Sequence, residues 1–412
     1  HTIRPQRAVE QRAIVGMDAF SHIFRVIERI TDTGTHLCGF TFQHKNAAAF
    51  HRFGGNALAG TLQLCRYGKL HPFLHALRFR RALYDRHSVL HQVAVCIGNT
   101  LQINRRTIFG KRFFNKEFGV DSKVLWLPDV FGYSAAMPQI LKKAGVEYFV
   151  THKMGIWNDT NPWQYNTFWW EGPDGSKIFS IVPPTHFIGT VEADSLKMNW
   201  KKYTDKATIG ESMYCYGWGD GGGGVDTEML EYAKRYKSFP GLPETKPSKI
   251  EDSLARMKAK ATDTNIPTWK DELYLEEHRG VHTTKALLKK LNRYSENLYR
   301  QAEIFASIAM KYGYEYPLEK LNEGWQMILT NQFHDSLPGS HITEVFGDLC
   351  AIYDDIIKIG EEVRDGALNA IAGNISGEAK YGKPFALFNS LGVAATSKVE
   401  LPYKDVEIFD AE

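Results

Sequence analysis

Cysteine is scarce: five among 412 residues, at Cys38, Cys65, Cys96, Cys215 and Cys350, odd in number and with no CxxC pair. That excludes a disulfide framework and a zinc–thiolate site. Reduced thiols in a cytoplasmic protein are the expectation. No apolar run approaches the roughly 18–20 residues that a membrane span needs, so no membrane role is expected. Residues 1–20 alternate Arg, Gln and Glu with apolar residues and lack an apolar centre, so no secretory signal is expected. The chain opens on His1 rather than Met, and His1 is not expected to be a natural start. There is no internal repeat, and no low-complexity tract beyond one run of glycines. Acidic residues are also few at the start. Residues 1–110 hold 15 Lys+Arg against 5 Asp+Glu, and nine of the 15 His. A basic arm for nucleic acid clusters its charge and lacks a Phe-, Leu- and His-rich background, so nucleic acid is not the expected partner.

What is present is ordinary for a soluble globular protein: 43% apolar and 24% charged residues, at a length that favours two or three domains. From Gly110 the text becomes regular. Residues 111–118 read as a helix end, and Ser122–Trp126 as a short strand. The loop Pro128–Ser134 follows, then a helix over 136–144 capped by Gly145, and a strand over Val146–Val150. This strand–loop–helix–strand rhythm predicts a parallel sheet with crossover helices. Residues 165–183 read as two strands about the turn Pro173-Asp174-Gly175. Residues 212–216 read as another strand, ending in the glycine run before a helix over Thr227–Tyr236. From about residue 280, apolar residues recur at three- and four-residue steps in three stretches. These predict three long amphipathic helices, packed as a bundle. Residues 384–412 return to strand-like alternation and read as the opening of an unfinished β domain.

Three segments carry chemistry. In Trp126-Leu-Pro-Asp129-Val-Phe131-Gly-Tyr133-Ser134, a carboxylate follows a strand end, where α/β sheets place ligands. An Asp after Pro also serves simply as a turn residue. In Tyr216-Gly217-Trp218-Gly219-Asp220-Gly221-Gly222-Gly223-Gly224, a second carboxylate sits among glycines that let other groups approach. The same run fits G-x-G-x-x-G, so a dinucleotide-binding oxidoreductase is the distant alternative. Asp220 would then repel the pyrophosphate, and the strand comes late for a first βα unit. In Asn331-Gln332-Phe333-His334-Asp335-Ser336-Leu-Pro338-Gly339-Ser340, a His beside an Asp at a helix end suits either a metal ligand or a helix-capping histidine.

In this order and spacing, W-L-P-D-V-F-G-Y-S, G-D-G-G-G-G and Q-F-H-D-S-L-P-G-S resemble the bacterial and cytosolic branch of the glycoside hydrolase family 38 α-mannosidases. Glu272-Leu-Tyr-Leu-Glu276-Glu-His278-Arg279-Gly280 and Thr167-Phe-Trp-Trp170-Glu-Gly resemble it too. The resemblance runs from about residue 110 to the end. It implies an α/β catalytic domain over 110–265, a three-helix bundle over 266–380 and the start of a truncated β domain over 381–412. It also implies one zinc ion per site and mannose-containing glycans as partners. Asp129 would be the nucleophile and a zinc ligand, Asp220 the general acid/base, and His334 a zinc ligand. Asp335 would accept hydrogen bonds from sugar hydroxyls, Phe131 would flank the sugar, and Lys153 would supply a basic contact. Trp126, Phe131 and Trp218 offer flat apolar faces for the ring.

The sequence departs from that pattern in places. The family opens with Gly-His-x-His-x-Asp, whose last His and Asp complete a set of four zinc ligands, and no His-x-Asp occurs in residues 1–110. Val225 stands where Pro is expected, and His282 where Tyr is expected. The missing motif and the basic composition share one stretch. Residues 1–109 are therefore expected to be an out-of-frame or chimeric segment, with a genuine unrelated domain as the rival reading. The expected function is zinc-assisted, retaining hydrolysis of terminal α-D-mannosyl residues, impaired by two absent ligands. The alternative is a carbohydrate-binding relative without turnover. The oligomeric state is left open, a homo-oligomer among the options.

Overall fold

A computed structural model describes residues 100–219, 223–375 and 386–396. The expectations for residues 1–99, for Asp220 to Gly222, and for most of 376–412 lie outside the described residues. Residues 386–396 contain no strand.

The chain divides into two compact units. One holds the described residues up to Asn292 together with Leu329–Ile352. It begins with α1 (Thr100–Phe118), β1 (Val124–Leu127), β2 (Gly132–Tyr133), α2 (Met137–Lys143) and β3 (Tyr148–Thr151). It continues with β4 (Thr167–Glu171), β5 (Lys177–Ile181), α3 (Ala193–Lys202), α4 (Thr227–Arg235), α5 (Ile250–Lys260), β6 (Thr268–Trp269) and β7 (Leu273–Tyr274).

Five strands form one sheet in the order β1-β3-β5-β4-β6, and β2 pairs with β7 in a separate antiparallel ribbon. The strands β1, β3 and β5 run parallel, with Val124 opposite Tyr148 and Tyr148 opposite Phe179. Their nearly unbroken apolar runs, VLWL, YFVT and KIFSI, suit a sheet covered on both faces. The period of two sorts them. Leu125, Leu127, Phe149 and Ile178 join a core with Met137, Ile140 and Leu141 of α2. Val124, Tyr148, Val150, Phe179 and Ile181 join a second core with Leu254 and Met257 of α5.

Two expectations need correction. The sheet is mixed rather than parallel, because β4 runs antiparallel to β5. Only residues 172–176 join the two strands, and a parallel crossover needs a dozen or more. The tight turn at Pro173-Asp174-Gly175 closes with Gly172 N–H donating to the Ser176 carbonyl at 2.9 Å. Secondly, residues 212–216 form no strand; among the described residues nearby there is a single bridge, Gly189 to Gly217. A side chain takes the place of a strand neighbour there. Asn199 Nδ2 donates to the Met213 carbonyl at 3.1 Å, and Ser212 Oγ donates to Asn199 Oδ1 at 2.7 Å. The G-x-G-x-x-G reading loses the preceding strand that it requires.

The second unit takes Arg293–Ile328 and the chain from Tyr353. It holds most of three long helices: α6 (Ala286–Ala309), α7 (Leu318–Asn331) and α8 (Thr343–Ala372). Its core includes Leu298, Tyr299, Phe305, Leu321, Trp325, Ile356 and Val363. Tyr299 is fully buried, and its hydroxyl donates to the Ile356 carbonyl at 2.9 Å. Glycine at 324 makes room for it, since a Cβ there would lie 1.7 Å from that hydroxyl oxygen. Among the described residues, no helix is long and apolar enough to cross a membrane.

Candidate metal centre

The centre begins where β1 ends. Beyond Leu127 the chain turns at Pro128 and presents Asp129. The strand ends are tied together, because the hydroxyls of Tyr133 and Thr151 lie 2.7 and 2.9 Å from the Leu127 carbonyl. Gly132 adopts φ +124°, and a Cβ there would meet the Leu273 carbonyl oxygen at 3.1 Å. A side chain at this position would push β2 off β7.

From the end of β3 comes Lys153, buried to 7% exposure, whose backbone N–H donates to the Pro128 carbonyl at 3.2 Å. Its ammonium donates to Asp129 Oδ1 at 2.5 Å. From the turn after α7 comes His334, whose Nε2 lies 3.1 Å from Asp129 Oδ2 and 3.4 Å from Asp335 Oδ2. That turn is fastened from several sides. Gln332 Nε2 donates to Asn292 Oδ1 at 2.6 Å, Lys289 donates to the Pro338 carbonyl at 2.9 Å, and Ser340 Oγ donates to Asp335 Oδ1 at 2.8 Å.

Burial raises the Asp129 pKa, but the His334 hydrogen bond and the Lys153 charge outweigh it and bring the carboxyl down to about 2. Asp129 is therefore a carboxylate at neutral pH, with a cation on one oxygen and an imidazole on the other. Asp129, His334 and Asp335 each offer one ligand atom, all within 4.8 Å of one another. Two carboxylate oxygens and one imidazole nitrogen suit a divalent cation of the zinc type. With Lys153 on Oδ1, Oδ2 is the oxygen left to face a metal. His334 Nδ1 is buried without a hydrogen-bond partner among the described residues, whereas a ligand imidazole ordinarily has one.

Around this group stand rings. Phe131 is buried to 6% exposure, with the Lys153 ammonium 4.5 Å from its centroid, His334 at 6.1 Å and His278 at 4.7 Å. Burial, then the Lys153 charge, lowers the His278 pKa. His152 is almost fully buried beside His186, and burial, the largest cause, brings it down to about 3.

Of the residues singled out from sequence, Asp129, Phe131, Lys153, His334 and Asp335 come together here. Asp335 stands within metal-binding reach. Trp218 is 46% exposed, and its indole donates to Asp226 Oδ2 at 2.8 Å, the residue that caps α4. No described contact joins it to the Asp129 group. Trp126 packs against the second core of the sheet. Asp220 lies outside the described residues. Sequence reasoning gave His278, His152 and Trp157 no role. His278 stood in a quoted motif, but nothing local marked its approach to Phe131.

Residues 95–272 match the family described as "Glycosyl hydrolases family 38 N-terminal domain", and residues 276–371 match "Alpha mannosidase middle domain". Alpha-mannosidase 2C1 of Mus musculus is 34% identical over 304 residues, covering 72% of this chain and 28% of that protein. Alpha-mannosidase of Saccharomyces cerevisiae is 39% identical over 254 residues, covering 59% and 23% respectively. The chain thus spans about a quarter of the length of these relatives. In fold it is similar to an alpha-mannosidase from Enterococcus faecalis, with a TM-score of 0.59 and 18% identity over 86% of this chain and 40% of that one.

Proposed function

Because the chain belongs to glycosyl hydrolase family 38, we propose that it carries a metal-assisted site for hydrolysing terminal α-D-mannosyl residues of glycans. The observation that carries this reading is the meeting of Asp129 with His334 and Asp335, 205 residues along the chain, in one group of ligand atoms beside a buried lysine. The names of the relatives supply the mannoside.

Asp129 is the nucleophile. Held ionised by His334 and Lys153, its carboxylate attacks the anomeric carbon and forms a glycosyl ester as the glycosidic bond breaks. Asp220 protonates the departing oxygen and later takes a proton from the attacking water. Asp335 accepts hydrogen bonds from sugar hydroxyls, and Phe131 walls the pocket while steadying Lys153 and His334. The metal we assign is zinc, held by Asp129 and His334 with Asp335 in reach. When bound, it supplies a Lewis acid that orients neighbouring hydroxyls and favours an oxocarbenium-like charge distribution. The three long helices make a bundle of their own.

Turnover in this chain is impaired. The resemblance implies four zinc ligands, and the motif supplying two of them is absent from residues 1–110. The family match itself begins at residue 95. Saccharide binding without turnover is the second reading, favoured by that same absence.

The test is zinc content after dialysis against a mild chelator, alongside hydrolysis of an aryl α-mannoside. We expect substoichiometric zinc and slow turnover, both rising when an in-frame Gly-His-x-His-x-Asp segment replaces residues 1–108. Turnover that is unchanged after exhaustive metal removal would overturn the metal's part. A repaired chain that still fails to cleave would overturn hydrolysis.

A further inference from the structure

The turn that delivers Lys153 to Asp129 also delivers a tryptophan to the surface. Trp157 N–H donates to the Lys153 carbonyl at 3.1 Å, so the two residues sit one turn apart. Trp157 is 39% exposed. Its ring stands 6.2 Å from that of His278, which stands 4.7 Å from Phe131, which stands 6.1 Å from His334. Rings therefore lead stepwise from the buried metal group to solvent.

The outer end of this row is firmly built. Asn158 and Glu276 are each 8% exposed, and they join the Trp157 loop to the segment just before His278. Asn158 Nδ2 donates to the Tyr274 carbonyl at 3.0 Å and accepts at Oδ1 from Glu276 N–H at 2.9 Å. The Glu276 carboxylate accepts from Thr160 N–H at 2.5 Å and from Thr160 Oγ1 at 2.7 Å. Burying a carboxylate is costly unless it is fully hydrogen-bonded. Here the carboxylate secures a loop whose exposed product is one indole face.

We propose that Trp157 and His278 form a second saccharide subsite, a ledge that receives the sugar next to the one held at the metal group. This rests on the mannoside reading above. The apolar C–H face of a pyranose lies against the indole, and the His278 imidazole hydrogen-bonds to a hydroxyl or to the linking oxygen. A monosaccharide seated at Asp335 leaves the ledge empty, and an α-linked disaccharide fills both places.

The test is binding, measured by calorimetry with methyl α-mannoside and with α-linked mannobiose. The full chain should bind mannobiose about three- to ten-fold more tightly, the range set by one aromatic contact. Trp157→Ala should erase that preference while leaving methyl α-mannoside affinity and zinc content unchanged. Trp157→Phe should keep most of it. Thr160→Val, which removes the Oγ1 hydrogen bond to Glu276 and leaves the ring in place, should reduce it. No preference in the parent chain, or a preference intact in Trp157→Ala, would overturn the ledge. A Trp157-dependent preference in a chain that gains no zinc even when an in-frame Gly-His-x-His-x-Asp segment is restored would uphold the ledge and sink the metal reading. Zinc gained on that repair without any preference would do the reverse.

Discussion

The ammonium of Lys153 and the imidazole of His334 divide the Asp129 carboxylate between them, Lys153 on Oδ1 at 2.5 Å and His334 on Oδ2 at 3.1 Å. Lys153 is thus a fixed cation beside the place a divalent ion would occupy. Its removal should move two observables in opposite directions. Lys153→Met should lower turnover, because Asp129 loses the ammonium that positions its carboxylate. It should also tighten zinc several-fold, because like charges at this range repel even in a high-dielectric site. A zinc titration read alongside aryl mannoside hydrolysis checks this. Weaker zinc in Lys153→Met would show that Lys153 organises the ligands rather than competing with the ion.

His334→Ala and Asp335→Asn bear on the metal group from its other side. Losing a ligand or its hydrogen-bonding partner costs about 10–100-fold in metal affinity. His334→Ala should show at least that loss, and Asp335→Asn about ten-fold, both by competition with a chromophoric chelator. If Asp335→Asn binds zinc normally but binds methyl α-mannoside poorly, Asp335 touches only sugar.

Asp220→Asn should slow hydrolysis of alkyl α-mannosides far more than of activated aryl α-mannosides, whose leaving groups need little protonation. Equal slowing of both classes would remove Asp220 as the proton donor.

His152 gives the fold a pH dependence with a defined sign. Its folded pKa is held down to about 3 by burial, against about 6.5 in an unfolded chain. Below about pH 6.5 the unfolded chain takes up a proton that the folded chain refuses, so stability falls as pH drops toward 3. One such group contributes up to about 1.4 kcal/mol per pH unit. Urea unfolding between about pH 6 and about pH 4 should show a shallower slope in His152→Gln by that order. Equal slopes would mean that His152 is solvated or paired in the folded protein.

In the helical unit, Gly324→Ala should cost about 2 kcal/mol, the scale of overpacking. The added carbon would meet three Tyr299 atoms between 1.7 and 2.4 Å away and displace the hydroxyl from the Ile356 carbonyl. This loss exceeds the helix propensity gained by removing a glycine. A thermal melt followed at helical wavelengths would show it, and an unchanged midpoint would mean that the helices shift freely.

Much of this was legible from local chemistry. The apolar run ending at Pro128-Asp129 announced a strand that delivers a carboxylate, and α7 ends where His334 begins its turn. The ring row was not legible, because His278, Phe131 and Trp157 meet only through pairing between segments over a hundred residues apart. Sheet order was hidden for the same reason. The hairpin turn at Pro173-Asp174-Gly175 foretold two strands, while nothing local placed β5 against β3. The segment 212–216 misled because its apolar residues suit a strand, whereas the Asn199 side chain claims its backbone.

The unit carrying the metal group is interrupted in sequence, since Arg293–Ile328 belongs to the other unit and Leu329–Ile352 returns. During synthesis the ribosome delivers Asp129 long before His334, at roughly 5–20 residues per second. For ten seconds or more, by that rate, the nascent sheet therefore exposes a carboxylate and a lysine without their third partner. An ion captured in that interval would be held by a partial set. The complete ligand group accordingly exists only after Arg293–Ile328 has emerged and the His334 turn has come back.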